Sequence, residues 1–221
     1  MKITIFETIF TPSIYSSLII TGLLSIVIIL FGFRIKKLKP TDSPKGILMF
    51  LEVVVDFVNK FAKDNFGKYW KYYAPYILSL LLFLVFSNTA GLFGLRPPTA
   101  SVSVTFALAL VTFLLIHVSG ILNKGVKKYA KGFLEPIAPM LPLNIIGEFA
   151  IPIALGLRLF GNIFSGLIIT GLVYGVLGNM AFVVTPALHG IFDVFFGLIQ
   201  AVVFVLLSTI FISGQLELEE E

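Results

Sequence analysis

Apolar residues run along this chain in blocks too long for the core of a soluble protein. Residues 14–33, 72–95 and 97–123 carry no charged side chain, and each is long enough to cross ~30 Å of hydrocarbon as an α-helix, which takes about 20 residues. Two longer blocks follow. Residues 137–174 are interrupted only by Glu148 and Arg158, and residues 180–212 only by Asp193. Both exceed the length a span requires, so they should be tilted, bent or partly outside the bilayer. The pattern predicts an all-α membrane protein with five crossings in a single membrane domain.

Residues 44–68 differ in kind. Glu52, Asp56, Asn59, Lys60 and Lys63 recur at helical spacing, while Ile47, Leu51, Val54, Val55, Val58 and Phe61 fill the other side. This is the pattern of an amphipathic helix lying on a membrane surface. It serves either as an interfacial spacer or as a docking surface for a partner subunit.

Composition agrees. Of 221 residues 57% are apolar and 13% charged, against about 45–50% and about 25% in soluble domains; the mean hydropathy is +1.01. The excess apolar surface has to face lipid. Cysteine is absent, which removes disulfides and thiolate metal sites. Thr11-Pro12-Ser13 follows no basic segment, and the first block is too long for a signal-peptide core, so it reads as a retained span. A net charge of +4 would suggest nucleic acid in a soluble protein. Here the placement of the charges says more than their sum, and no nucleic-acid partner is expected.

Lysine and arginine bias sets the orientation. Arg34, Lys36, Lys37, Lys39, Lys45, Lys60, Lys63, Lys68 and Lys71 lie between the first and second spans, and Lys124, Lys127, Lys128 and Lys131 between the third and fourth. Only Lys2 and Arg96 lie on the other side. The N-terminus is therefore expected outside, and residues 213–221 form an acidic cytoplasmic tail.

The ionisable residues inside the apolar blocks are the candidates for function. Arg158 stands mid-block, where an arginine costs about 2.5–3.5 kcal/mol on insertion scales and is too deep to snorkel. It either forms a structural ion pair with Glu148 or Asp193 or serves an ion pathway. Asn162 follows four residues on, on the same helical face, and Gly156, Gly161, Ser165, Gly166 and Gly171 keep the surroundings small enough for close helix approach. In the last block His189, Asp193, Gly197 and Gln200 step by four, four and three, a polar stripe on an apolar helix. A turn at Gly178-Asn179, with the two helices folded about residue 180, sets Gln200 opposite Phe160 and Asp193 opposite Leu167. Arg158 then has one acidic group towards each compartment, Asp193 outward and Glu148 inward. A simple pore needs no such central barrier, whereas a device with two half-channels does. His189 is either a proton carrier, since imidazole titrates near neutrality, or an interfacial residue. Pro152 leaves the Glu148 carbonyl without its helical donor, which either helps hydrate an inner passage or only kinks the helix. His117 reads as interfacial, and Ser87 and Asn88 as groups satisfied within the bundle.

A phosphate-binding loop, a Cys/His cluster and a Ser-His-Asp arrangement are not readable, so no cofactor, metal or bond-making chemistry is expected. Two other classes compete. A self-contained secondary transporter would use Arg158 to bind an anionic substrate, but such transporters show inverted repeats, and no internal symmetry is visible. A membrane scaffold binding partners through residues 44–68 would leave Arg158, Glu148 and Asp193 without a reason to accept their cost.

Four segments carry a resemblance. Leu157-Arg158-Leu159-Phe160-Gly161-Asn162 resembles the LRLFGN signature of the a subunit of bacterial, chloroplast and mitochondrial F-type ATP synthases. Pro142-Leu143-Asn144 with Glu148 resembles that family's PxNxxxE element, Ile199-Gln200-Ala201 with Phe204 its IQAxxF element, and residues 98–105 its PTADxNxT segment. The matches run in order over residues 88–212. The resemblance implies a stator subunit whose last two helices lie tilted against a rotating ring of c subunits, with a peripheral-stalk b subunit as a further partner. It also implies that protons or sodium ions are moved across a bacterial plasma membrane, with no catalysis by the chain alone. By the same resemblance Arg158 would meet the ring carboxylates, Asn162 and Gln200 would flank it towards the outer half-channel, and Glu148 would border the inner one. Leu167 stands where the family often has an acidic residue or histidine, which leaves the outer acidic group to Asp193. Ser101 and Ser103 replace the usual Asp and Asn.

Overall fold

The computed structural model describes residues 12–36, 46–134, 137–178 and 181–216. Asn179 of the expected Gly178-Asn179 turn, Met180, the start of the amphipathic segment at Pro44 and Lys45, the tail Glu217–Glu221, and Lys2, Lys37 and Lys39 lie outside them. All regular structure among the described residues is helical: α1 Pro12–Lys36, α2 Ile47–Phe66, α3 Trp70–Asn88, α4 Val102–Lys124, α5 Val126–Gly132, α6 Leu141–Leu177, α7 Ala181–His189 and α8 Gly197–Ser213. A π-helical turn, Gly190–Phe196, joins α7 to α8. Among the described residues five stretches are long and apolar enough to cross a membrane, namely Pro12–Ile35, Ile47–Asn88, Val102–Lys124, Leu141–Leu177 and Pro186–Ser213. This is the all-α membrane architecture that the apolar blocks predict.

The second of these stretches is two helices. Gly67 takes φ +50°, a conformation open to glycine and strained for residues with a Cβ, and it ends α2 before α3 begins. Phe66 and Tyr73 meet across the corner at a ring separation of 4.7 Å, and the Lys63 ammonium sits 4.7 Å from the Trp70 ring. The apolar side of α2 then divides in two. Val58, Ala62 and Phe66 are buried against the bundle, while Phe50, Val53 and Phe57 are 66%, 59% and 68% exposed. Of the apolar side expected from spacing, Val58 is buried, Leu51, Val54 and Phe61 are half-buried, and Ile47 and Val55 are exposed.

The core is built by α3, α4, α6 and α8, with Leu84, Ala109, Leu159, Ala201 and Phe204 almost wholly enclosed. α1 packs outside it on α3 and the 98–100 turn, burying little beyond Ser13, Ser16 and Ile20. Small residues set the helix separations, as expected where lipid supplies no hydrophobic drive between helices. A Cβ on Gly156 would come within 3.1 Å of the Phe106 ring of α4, one on Gly166 within 3.3 Å of Phe192, and one on Gly197 within 3.0 Å of Asn88.

Between α3 and α4 runs a ladder of hydroxyls. Tyr69 donates to Asn123 Oδ1 at 2.8 Å, Tyr73 to Ser119 Oγ at 2.7 Å, and Tyr76 pairs with Thr112 Oγ1 at 2.7 Å. Net side-chain hydrogen bonds are worth about 0.5–1.5 kcal/mol, with about 0.6 typical inside membranes. A double-mutant cycle of Tyr73→Phe and Ser119→Ala, read by thermal unfolding of the solubilised complex, should give a coupling of about 0.6 kcal/mol; strictly additive effects would show that the rung contributes nothing.

Candidate functional site

The site is carried by α6 and by the arm formed from α7, the π-turn and α8. Three contacts set their register. Asn162 Nδ2 donates to Gln200 Oε1 at 2.7 Å, Gly166 faces Phe192, and the Tyr174 hydroxyl lies 3.0 Å from His189 Nε2. Each pair sums to within a few residues of 360, the register of an antiparallel hairpin folded near residue 180.

Arg158 occupies the middle of the 37-residue α6. Its neighbours Leu155 and Leu159 are buried, whereas Arg158 itself is exposed. No acceptor within hydrogen-bond or salt-bridge reach of its guanidinium is present among the described residues, so the ion pair with Glu148 or Asp193 that spacing allowed is not formed. Ala154, Arg158, Asn162 and Ser165 are exposed on one face, and a Cβ added to Gly161 on the same face would meet nothing within 4 Å. The small residues therefore serve two purposes. Gly156 and Gly166 admit helices of this chain, while Gly161 and Ser165 flank the arginine on an uncovered surface.

Towards one end of α6 lies Glu148, ten residues and ~15 Å of helix rise from Arg158. It lines a cavity of about 430 Å³ together with Lys124, Lys128, Tyr129, Asn144 and Gln215. That volume accepts several water molecules at ~30 Å³ each. Glu148 Oε2 and the Tyr129 hydroxyl are buried without a hydrogen-bond partner, which is costly unless the cavity supplies water. Burial, and then the Glu148 charge, raise the Tyr129 phenol above its ordinary value. Its ring is seated over Gly120, where a Cβ would collide with it. α6 runs unbroken through Pro152. His117, at the same end, packs its ring against Phe113 at a centroid separation of 4.0 Å and a tilt of 49°, and keeps Nδ1 buried without a partner.

Towards the other end, Asp193 sits in the π-turn with 15% of its side chain exposed. Its Oδ2 lies 2.6 Å from His189 Nδ1, and its carboxylate lies against Gly91, where any Cβ would displace it. One turn on, Asn88 donates to the Gly197 carbonyl at 2.8 Å and accepts from the buried Thr99 hydroxyl at 2.8 Å. Single-turn π segments inside α-helices occur frequently at functional sites. Here it alters the simple step-of-four stripe, yet Asp193, Gly197 and Gln200 all still turn inward, the first two to the end of α3 and the third to α6.

The candidates thus fall into three stations along α6: Glu148 at one end, Arg158 with Asn162 and Gln200 at the centre, and Asp193 with His189 at the other end. Tyr174, Gly91 and Tyr129 belong to these stations and were not singled out by sequence. Tyr174 was open to detection, since folding about residue 180 brings it opposite residue 186, close to His189. Gly91 and Tyr129 gave no signal, because their neighbours are distant in the chain.

The chain is similar to known proteins over most of its length. The family described as ATP synthase A chain matches residues 15–213. ATP synthase subunit a of Streptococcus agalactiae serotype Ia is 36% identical over 215 residues, covering 90% of each chain, and that of Streptococcus pneumoniae serotype 19F is 35% identical over 198 residues, covering 82% of each. Five membrane-length helical stretches among the described residues, an uncovered arginine midway along α6 in an LRLFGN segment and a match across most of the chain lead to one statement: this chain belongs to the ATP synthase subunit a family.

Proposed function

We propose that the chain is the ion-translocating stator subunit of a rotary ATP synthase, offering two offset half-channels to the carboxylates of a rotating c-ring. The observation that carries this reading is the unpaired Arg158, exposed on a face of small residues midway between two acidic stations. A cation left without an internal partner at that depth calls for an external anion, and small flanking residues let a neighbouring helix bring one close.

Protons or sodium ions enter from outside past Asp193 and His189, load a ring carboxylate, and are released near Glu148 after almost a full rotation. Asn162 and Gln200 flank the arginine on its outer side, and their mutual bond keeps the α6–α8 seam closed there. Unit charges attract by about 4 kcal/mol at 4 Å in an effective dielectric of ~20, which is roughly three pKa units of bias towards an ionised carboxylate. Arg158 therefore discharges an arriving site and stops it from carrying its ion straight past. Its fixed charge also repels free cations between the half-channels.

The remaining parts of the reading follow. The N-terminus faces outward and the basic end, with Glu148, faces the cytoplasm of a bacterial cell; a b subunit is a further partner; the chain has no catalytic activity of its own. The transporter and scaffold readings predict different behaviour on purification. Co-isolation with a ring of small two-helix subunits is the expected result, with no ion flux when this chain alone is placed in vesicles. Substrate-driven flux by the isolated chain would overturn the proposal.

A further inference from the structure

We infer that Tyr174 is a positioning residue of the Asp193 station, holding the His189 ring so that Nδ1 is turned to the carboxylate. This inference rests on the reading of Asp193 as the outer ion-path group. With His189 neutral and Asp193 ionised, the two contacts of the imidazole are satisfied in one way: Nδ1–H donates to Asp193 Oδ2 at 2.6 Å, and the Tyr174 hydroxyl donates to Nε2 at 3.0 Å. When His189 is protonated, Nε2 becomes a donor and the same hydroxyl accepts, because a phenol does either. One side chain from α6 thus keeps the ring oriented through both of its charge states. Fixing a histidine through the nitrogen opposite its working nitrogen is how second partners govern tautomer and ring orientation.

The surroundings leave this task to Tyr174. The elements packed against the π-turn are α6, α7, α8 and the Ala90–Phe93 turn. α7 contributes His189, the Ala90–Phe93 turn contributes the backbone at Gly91 and no titratable side chain, and α8 contains none. On α6, Arg158 is 16 residues back from Tyr174, ~24 Å of helix rise away. Gly91 pins one side of the carboxylate and His189 the other, so loosening the ring loosens the acidic group.

The test uses the assembled complex in vesicles. Losing one net hydrogen bond of about average strength should lower ion-driven ATP synthesis per complex about five-fold in Tyr174→Phe, at unchanged yield of complex, and should displace the pH profile of ATP-driven pumping. Tyr174→Gln, whose carboxamide both donates and accepts, should restore the parental profile and most of the rate. A parental rate and profile in Tyr174→Phe would overturn the inference, as would a loss confined to complex yield with each remaining complex working normally. Asp193→Asn, measured alongside, separates this from the larger reading: full synthesis by that variant sinks the outer-path assignment itself, whereas inactivity of Asp193→Asn beside a parental Tyr174→Phe sinks only the positioning role.

Discussion

Arg158→Ala is expected to reduce ion-coupled ATP synthesis to background in complexes that assemble normally. A guanidinium near mid-membrane is unfavourable by at least 2.5–3.5 kcal/mol on insertion scales, and among the described residues no carboxylate offsets that of Arg158. Alanine removes that cost, so the variant should insert and fold at least as well, which separates loss of function from loss of structure. On the proposed mechanism function should nevertheless vanish, since the bias of roughly three pKa units that would empty an arriving ring carboxylate disappears with the charge. The same substitution opens an uncharged gap between the half-channels, so vesicles carrying the variant should leak protons or sodium faster than parental ones. Arg158→Lys keeps the charge but not the planar fork that grips a carboxylate with two donors, and lysine loses its proton more readily when desolvated. It should retain at most a small fraction of the rate. Normal synthesis by the alanine variant, with complex content verified, would remove the arginine from the mechanism.

The helices are legible in the sequence because lipid imposes one rule over long stretches: nearly every residue in a block must be uncharged. Their ends are harder. Charge-free residues extend from 72 to 95, yet α3 stops at Asn88. There the Asn88 side chain is committed to Gly197 and Thr99, and Gly94 at φ +71° followed by Pro97-Pro98 turns the chain into α4. Thr99 and its neighbours are buried although they belong to no long helix. Composition marks such a plug as apolar and says nothing more. The π-turn around Asp193 was hidden for a related reason. One added residue per turn changes the register without changing residue type, so a stripe read at steps of four gave inward-facing positions without their partners.

At the site, sequence identified residue types by their cost and missed pairings made across helices. Arg158, Glu148 and Asp193 stand out because ionisable groups in apolar blocks are expensive. Whether Arg158 paired with either acid depended on which way α6 turned its faces, and spacing left that open. The burial of Leu155 and Leu159 decides it, since it turns Arg158 outward. Tyr129 beside Glu148 comes from the short helix α5 and Gly91 beside Asp193 from the Ala90–Phe93 turn, and no periodicity encodes where either is placed.

Asp193→Asn is expected to lower ion-driven ATP synthesis at least ten-fold, and Glu148→Gln by less. Each change is nearly isosteric, so the comparison tests the two environments. Asp193 is 15% exposed, seated between His189 and the Gly91 backbone, and Leu167 leaves the facing position on α6 without an acid to share its task. On the proposed outer path an ion therefore has one carboxylate among the described residues to use, and neutralising it removes a charge for which none of them substitutes. Glu148, by contrast, lines a cavity of about 430 Å³ shared with Lys124, Lys128, Tyr129 and Gln215. In that volume water can continue the path if the carboxylate is lost, and the released ion needs only an exit. Gly91→Ala supplies an independent check, because its added Cβ occupies the place of the Asp193 carboxylate and should mimic the asparagine variant while leaving the acid in the chain. Rates per assembled complex in energised vesicles decide the matter. If Glu148→Gln proves the more damaging, or if Gly91→Ala is silent while Asp193→Asn is not, then the carboxylate works from somewhere other than its seat against the Ala90–Phe93 turn.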